Sequence, residues 1–438
     1  MLSQYWWPEN GVPQRRWTWL SRILHEQGYN VTVLAPPPHY QRKIPFRVWL
    51  KNRRDRHLRK VQTPTSKGAS GERVVRTGFF PAGPSLSQRV LNQASVALAA
   101  IWAVVRKPGL LSSYRPEIVI GTVPALPTAF ATYIASRVYG VPYIIDLRDA
   151  WPDLLVESDT WNKSTGKASL REKILRRGPL QLVKIITRET INFVLRNSSA
   201  IIVTSDQLRQ DLTARDELRK NGSTPPTYTI RNVFPPETLF TKRYFQDEDS
   251  DARLRVLYAG TIGRAQNLMN ALIAASIAHE NGIDISLRLV GSGAAKKQLQ
   301  INAKKLPIEV QFDTRHDADG LKPYYDWADT ALVHLTDWEA LDKAVPSKTY
   351  ELMSMGIHIT GVVKGEAADL INKYDAGCVV EPEDPQALAD AWIKIAQDRS
   401  LLRVAKAGKN WTDEERDNEV PRTIAEILKR YTGDENNA

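Results

Sequence analysis

The chain is short of the residues that build disulfides and metal centres. One cysteine, Cys378, stands among 438 residues, which excludes an internal disulfide. Its setting, AGCVV, reads as a short apolar strand in which cysteine is a small hydrophobe. The seven histidines (His25, His39, His57, His279, His316, His334 and His358) show neither an HExxH pair nor any paired spacing, which argues against a structural zinc. GxxxxGK[ST], GxSxG and the kinase motif set are absent. The opening, MLSQYWWPENG, has no basic leader with a long apolar core, so the cytoplasm is the expected compartment. The apolar stretch 90–105 carries Asn92 and Gln93 near its start and falls short of the roughly 20 residues that span a bilayer. It is expected as a buried or interfacial helix.

What is present is ordinary for a folded protein: 42% hydrophobic and 25% charged residues, enough to fill a core. At roughly 150 residues per domain the length favours two or three domains, of which two are expected. The net charge of +11 points to an anionic partner, which could be nucleic acid, a membrane surface or a phosphorylated substrate. From Arg42 to Lys60 the run RKIPFRVWLKNRRDRHLRK holds nine Lys and Arg against one Asp, with Phe46, Val48, Trp49 and Leu50 interleaved. Basic plus aromatic residues suit an anionic membrane interface. The basic cluster at 171–188 reads equally as a solvated helix face. No RNP1-type run occurs, and the charge lies among bulky apolar residues, so no nucleic-acid partner is expected.

Short β-rich runs alternate with helical segments from the start: VTVLAP at Val31, EIVIGT at Glu117, YIIDLRD at Tyr143 and AIIVTS at Ala200. Strands with so little polar alternation belong to parallel sheets covered on both faces. Near Pro235 two prolines and the acidic QDEDSDA interrupt the pattern, marking a domain boundary. The alternation then resumes with RVLYAG, SLRLVG, VQF, TALVHL, HITGVV and CVVEP. The reading is an N-terminal Rossmann-like domain over 1–235, a C-terminal one over 236–410, and a final helix in 411–438 that packs back on the first domain. Pro421 suits that helix's first turn. Two such domains facing one another enclose a cleft, and ligands of open α/β sheets bind at the carboxyl ends of strands.

The candidate binding residues sit at those strand ends. After RVLYAG come Gly260, Thr261, Gly263 and Arg264: glycines admit backbone N–H groups to an anion and arginine forks onto phosphate oxygens, although βα turns also carry glycine for geometry alone. LVGSG supplies Gly291 and Gly293, half of a dinucleotide fingerprint whose third glycine is replaced by Lys296. In AVPSKTYELMSMG, Val345, Pro346 and Ser347 precede a helix whose first turns hold Lys348 and Glu351. A Ser N-cap with a following Glu is plain capping chemistry. A lysine at a helix start opposes the dipole, and an anionic ligand would explain it. Glu351 could accept hydrogen bonds from both ribose hydroxyls or serve as a solvated carboxylate. In the first domain Gly11 opens a helix expected at 14–27, as a phosphate approach or as a turn glycine. DLRDAWPD places Asp146, Arg148 and Asp149 at the end of a buried strand.

These blocks together resemble the family 4 glycosyltransferases of the GT-B fold, especially bacterial members that build surface polysaccharides and the fucosamine-transferase-like subgroup. The likeness runs through QYWWPENGVPQRR, DLRDAWPD, AIIVTSDQLRQDL, YAGTIGRAQNL, LVGSG, VPSKTYELMSMG and GEAADLINKYDAGCVVEPEDPQALADAW. It implies an α/β GT-B architecture of two facing Rossmann-like domains with an interdomain cleft. A nucleotide-sugar donor, usually a UDP-sugar, would bind the second domain and a lipid-linked or nascent glycan acceptor the first, with retention of anomeric configuration and neither cofactor nor obligate metal. On that pattern Glu351 holds ribose, Arg264 and Lys348 hold the diphosphate, 344–347 present backbone donors, Gly11 lies near the transferred group, and Asp149 stands near the acceptor hydroxyl.

Three departures from the pattern stand out. The family's E-x7-E would place a Glu at position 343, where this chain has Lys343; the front loop has Gly11-Val12 rather than paired glycines; and LSQY reads as the tail of a first strand whose opening residues lie upstream. A nucleotide-sugar epimerase of similar fold, and a catalytically weak nucleotide-sugar-binding partner in a polysaccharide assembly complex, are the competing readings. The Lys343 replacement favours the latter.

Overall fold

The computed structural model describes residues 1–9, 11–39, 46–51, 65–81, 86–123, 125–155, 179–235, 253–316 and 318–432. The chain forms two compact units, one of Met1–Pro152, Gln181–Phe234 and Asn418–Ala438, the other of Asp153–Leu180 and Pro235–Asp417. Each is a largely parallel α/β sheet with helices.

The first unit contains α1 (Val12–Glu26), β1 (Thr32–Ala35), β2 (Thr65–Lys67), β3 (Arg73–Arg76), α2 (Leu86–Arg106), β4 (Val119–Val123), α3 (Leu126–Tyr139), β5 (Tyr143–Leu147), α4 (Pro179–Arg196), β6 (Ala200–Val203), α5 (Asp206–Ala214) and β7 (Thr227–Thr229). Helix α1 begins at Val12 because Pro13 has the fixed φ a first turn wants and needs no N–H there. β1 pairs in parallel with β3, whose other edge takes the antiparallel β2, and β4-β5-β6-β7 run parallel. Residues 1–3 lie between the two groups. Leu2 bridges Leu34 of β1 and Gly121 of β4, the Leu2 N–H donates to Ile120 O at 2.8 Å, and the Leu34 N–H donates to Met1 O at 2.8 Å. Residues 1–3 thus fill a central strand position. β4 and β5 are buried along their whole length, which is why they read as continuous apolar runs with Thr122 and Asp146 as exceptions.

The second unit contains β8 (Leu254–Thr261), α6 (Met269–Glu280), β9 (Ile285–Ser292), α7 (Lys296–Ala303), β10 (Val310–Asp313), α8 (Ala318–Trp327), β11 (Thr330–His334), α9 (Glu339–Asp342), α10 (Ser347–Met355), β12 (Ile359–Val362), α11 (Gly365–Lys373), β13 (Gly377–Val380), α12 (Pro385–Gln397) and α13 (Lys406–Glu414). Its strands run parallel in the order β10-β9-β8-β11-β12-β13. Helix α12 begins at Pro385 because Asp384 caps it by accepting from the Ala387 N–H at 2.9 Å. The core joins Val256, Leu272, Leu289, Leu332 and Trp392. Cys378 lies in β13, where burial pushes its thiol up.

The last helix, α14 (Val420–Thr432), belongs to the first unit. Gln27 Nε2 donates to Pro421 O at 2.9 Å and Tyr431 Oη donates to Ser199 O at 2.6 Å. Its buried Val420, Ile424, Ile427 and Leu428 follow a helical stripe.

Candidate functional site

In the second unit the chain runs outward from β8 to β9 and β10, then returns to β11 on the other side of β8. That reversal is where ligands bind in open parallel sheets, at the carboxyl ends of the strands. The loop after β8 carries Gly263 and Arg264; the loop after β11 leads through α9 to Ala344, Val345, Pro346 and α10. The Thr336 N–H donates to Ala265 O at 2.9 Å, tying the two loops together.

Gly260 pairs with Gly291 and Thr261 with Ser292 at the ends of β8 and β9. A Cβ on Gly291 would lie 1.8 Å from Gly260 O, and one on Gly293 2.1 Å from Ile262 O. Close backbone approach therefore demands both glycines whatever ligand they meet. Gly260 and Gly263 are less constrained, since a Cβ there meets only the Tyr258 hydroxyl at 3.1 Å or the Gln266 amide oxygen at 2.7 Å. That oxygen accepts from the Gly263 N–H at 3.1 Å. Arg264 Nε is buried without an acceptor.

Helix α10 supplies the densest polar cluster. Its N-cap is Pro346, with no side-chain cap, so Ser347 is the first helical residue rather than the capping serine read from sequence. In the first turn the Thr349 N–H donates to Pro346 O at 2.9 Å, while the N–H groups of Ser347 and Lys348 have no helical carbonyl four residues back. One turn in, Lys348 Nζ donates to Glu351 Oε2 at 3.1 Å and to Tyr325 Oη at 2.8 Å, and Tyr325 Oη donates to Glu351 Oε1 at 3.4 Å. Burial works to lower the Lys348 ammonium, but Glu351 and Tyr325 hold it above its ordinary range. Burial raises the Tyr325 hydroxyl. Tyr325, on α8, was not a sequence candidate; nothing in its local pattern separates it from a core tyrosine. Lys343, where the family pattern has a carboxylate, caps α9 and pairs with Asp153 Oδ2 at 3.0 Å.

In the first unit, Gly11 is the N-cap of α1 with φ −113°, an ordinary extended conformation. A Cβ there would meet only the flexible Gln14 amide, at 2.6 Å. At the end of β5, Asp146 is fully buried and anchored: Arg16 Nη2 donates to Oδ1 at 2.9 Å and Trp17 Nε1 to Oδ2 at 2.7 Å. Arg16 Nη1 also donates to Ile230 O at 2.8 Å and Asn232 Oδ1 at 3.1 Å. Asp146 is thus a strut between α1, β5 and the segment after β7. Beyond it stand Arg148 and Asp149. Burial raises the Asp149 carboxyl, opposed by the nearby Arg148 charge; burial likewise lowers the Arg148 guanidinium. Asp149 and Gly11 lie in the first unit, and Arg264, Lys348 and Glu351 in the second.

Among the described residues no group of three or more His, Cys, Asp or Glu is placed to hold a metal ion, and no helix is long and apolar enough to cross a membrane. Of the basic segment 42–60, residues 46–51 are helical, with Phe46, Val48 and Leu50 exposed; the rest lies outside the described residues, as do residues 171–178 of the second basic cluster.

Two family models match, one on each half of the chain. A Glycosyl transferase 4-like domain covers residues 11–221 and Glycosyl transferases group 1 covers residues 253–398. With the two Rossmann-like units, these matches make the chain a glycosyltransferase of the GT-B fold. Among curated proteins it is similar to one from Escherichia coli (strain K12) named as a colanic acid biosynthesis glycosyl transferase, WcaI: 23% identical over 386 residues, 83% of this chain and 84% of the relative. Among solved structures it resembles the sucrose-phosphate synthase of Thermosynechococcus elongatus, with TM-score 0.61, 16% identity and coverage of 94% of this chain and 91% of that one. It also resembles Anabaena Alr3699/HepE in complex with UDP and glucose, with TM-score 0.59, 16% identity and 98% of both chains covered.

Proposed function

We propose that the chain moves a hexosyl or N-acetylhexosaminyl group, with retention of anomeric configuration, from a UDP-sugar held by the second unit to a hydroxyl of a lipid-linked or growing cell-surface glycan. The Lys348–Glu351–Tyr325 cluster at the β8/β11 reversal carries this reading. In the free protein Lys348 and Glu351 neutralise each other; a nucleotide diphosphate offers each a better partner, ribose hydroxyls for Glu351 and phosphate oxygens for Lys348 and Arg264. The UDP in the Anabaena structure and the polysaccharide pathway in the name of the Escherichia coli relative support the choice of donor and product.

In the reaction the acceptor oxygen forms a bond to the anomeric carbon while the bond from that carbon to the phosphate oxygen breaks. The difficulty is the negative charge that appears on the departing UDP. Lys348, Arg264 and the N–H groups of Val345, Ser347 and Lys348 are fixed donors for that charge, the arrangement that supplies most stabilisation in such steps. The acceptor proton leaves to the departing phosphate oxygen or to Asp149, whose raised carboxyl suits a proton acceptor better than an ordinary surface aspartate does. Gly260, Gly263, Gly291 and Gly293 shape the backbone beside the diphosphate. The test is turnover of UDP-hexoses and UDP-N-acetylhexosamines followed by proton NMR of the anomeric centre. A product with the donor's configuration supports the reading; inversion, or release of an epimerised UDP-sugar without an acceptor, would contradict it.

The reading includes work at the inner face of the plasma membrane. Leu91, Leu98, Trp102 and Val105 are exposed on α2, spaced as one helical stripe, with exposed Arg89 and Arg106 on the same helix. Leu182, Ile185 and Ile186 are exposed on α4 beside Arg188, and α4 meets α3 through Phe193 and Tyr133, with ring centroids 5.2 Å apart. Apolar stripes edged with cations fit an anionic lipid surface. Sedimentation with phosphatidylglycerol vesicles tests it: Trp102→Ser with Leu98→Ser should weaken association, and unchanged binding of that variant would refute the surface.

A further inference from the structure

Lys343 is the departure from the family pattern to which the proposed reaction gives no task. It is the C-cap of α9, and the next residue opens the loop 344–346 that leads into α10. Its Nζ lies 3.0 Å from Asp153 Oδ2, and the two side chains are 14% and 29% exposed. Both residues belong to the second unit. Of the pair, the carboxylate is the more open, so a ligand arriving here meets Asp153 before the ammonium that holds it. The order of groups along the chain says which part of a ligand that is. In the reading above Glu351 meets the ribose and Lys348, at the start of α10, meets the diphosphate; the chain then runs back through 346–344 to Lys343. A nucleotide sugar is built in the same order, ribose, diphosphate, sugar.

We infer that Asp153, held in place by Lys343, accepts hydrogen bonds from hydroxyl groups of the donor's sugar, and that this sugar carries no carboxylate of its own. This rests on the UDP-sugar reading above and narrows its donor to an uncharged sugar. An ionised carboxylate can only accept hydrogen bonds and a sugar hydroxyl can donate them, with the added strength a charged acceptor gives. The carboxylate that the family pattern puts at position 343 is thus brought in from position 153, with Lys343 as its anchor. The surroundings exclude the opposite assignment, in which Lys343 would receive a sugar carboxylate. Glu339 and Asp342 lie on α9 itself, and the nearby cation Lys364 is already paired, with Asp337 Oδ1 at 2.9 Å and Glu381 Oε2 at 3.2 Å. Burial raises the Asp342 carboxyl, and the Asp337, Glu339 and Glu381 charges raise it further against the pull of Lys364. Another carboxylate would enter a region already crowded with them.

The experiment titrates the full chain, without acceptor, with UDP, UDP-glucose, UDP-galactose, UDP-N-acetylglucosamine, UDP-N-acetylgalactosamine and UDP-glucuronate. In the wild type one of the four neutral sugar nucleotides should bind more tightly than UDP-glucuronate. Asp153→Asn should weaken that neutral ligand roughly 10- to 100-fold, the range for loss of charge-assisted hydrogen bonds, and Asp153→Glu should keep part of the affinity. Lys343→Met should weaken it too, and the double variant should bind no worse than Asp153→Asn alone, because the lysine acts through the aspartate. UDP affinity should be the same in every variant, which also shows that each one folds. Neutral sugar nucleotides bound equally by wild type and Asp153→Asn would overturn the inference, as a merely structural ion pair requires. A loss that UDP shares in full would overturn it as well, and so would UDP-glucuronate binding tightest in the wild type and losing affinity in Lys343→Met. If UDP itself fails to bind the wild type, the donor reading fails instead, and the two failures are thereby distinguished.

Discussion

Replacing Lys348 by Met separates the two roles given to α10. In the free protein Lys348 Nζ makes hydrogen bonds of 2.8 Å to Tyr325 and 3.1 Å to Glu351. The paired side chains are 24% and 14% exposed, so solvent screens the pair only in part. A charge-assisted hydrogen bond contributes about 1.5–3 kcal/mol. Lys348→Met should therefore cost about 2 kcal/mol, which for a unit of this size lowers Tm by roughly 4–8 °C. Turnover should fall much further, roughly 10²–10³-fold in kcat, as when one fixed donor to a developing charge is removed. A double-mutant cycle with Glu351→Gln, read by thermal unfolding of the four proteins with and without UDP, makes the argument sharp. Without ligand the two sites should be coupled by about 1–2 kcal/mol; with saturating UDP the coupling should shrink toward zero, because each side chain has moved to the ligand. Coupling that persists unchanged with UDP bound, together with wild-type turnover by Lys348→Met, would refute the reasoning.

Other outcomes follow from the same geometry. Gly291→Ala should destabilise the second unit by roughly 3 kcal/mol or more, because its Cβ would lie 1.8 Å from Gly260 O, whereas Gly260→Ala should fold normally, meeting only Tyr258 Oη at 3.1 Å; melting curves of the two variants decide. Burial holds the His334 imidazole down to about 3, against about 6.5 in an unfolded chain. Its contribution is full above pH of about 6.5 and is lost as pH falls toward 3, so His334→Gln should show a flatter acid limb in Tm against pH. Asp149 is shifted the other way: its raised carboxyl gives stability that is full below about pH 4 and lost as pH rises through the folded value. Asp149→Asn should therefore gain stability relative to the wild type as pH rises, and a difference independent of pH would contradict the burial argument. Trp17→Phe removes one donor from the buried Asp146 and should cost about 1–3 kcal/mol by chemical denaturation.

Much of this architecture can be read along the chain because parallel strands buried on both faces leave a local mark. VLYAG, RLVG, TALVH and HITGV each announce a strand, and in each case the residues that follow it are the ones at the strand's carboxyl end. Lys348 and Glu351 were legible as a pair, since spacing of three on a helix makes them neighbours. Tyr325 was not: it arrives from α8 and meets Lys348 only once the sheet is assembled. Gly291 and Gly293 show how one residue pattern admits two physical reasons, the space a phosphate needs and the 1.8 and 2.1 Å clashes that any Cβ would make with neighbouring carbonyl oxygens. Asp146 and Asp149 looked alike in DLRDAWPD; only the fold shows that one is a strut held by Arg16 and Trp17 while its neighbour's carboxyl is raised by burial.

The central claim is that the start of α10 grips a nucleotide diphosphate through Glu351 and Lys348. Calorimetric titration of UDP into the wild type and into Glu351→Ala tests it most directly. The account predicts a single site in the wild type and an affinity lower by roughly 10-fold or more in the variant, the loss of about 1.5–3 kcal/mol for hydrogen bonds to a charged group. Equal binding by both proteins, or no binding by the wild type, would contradict it.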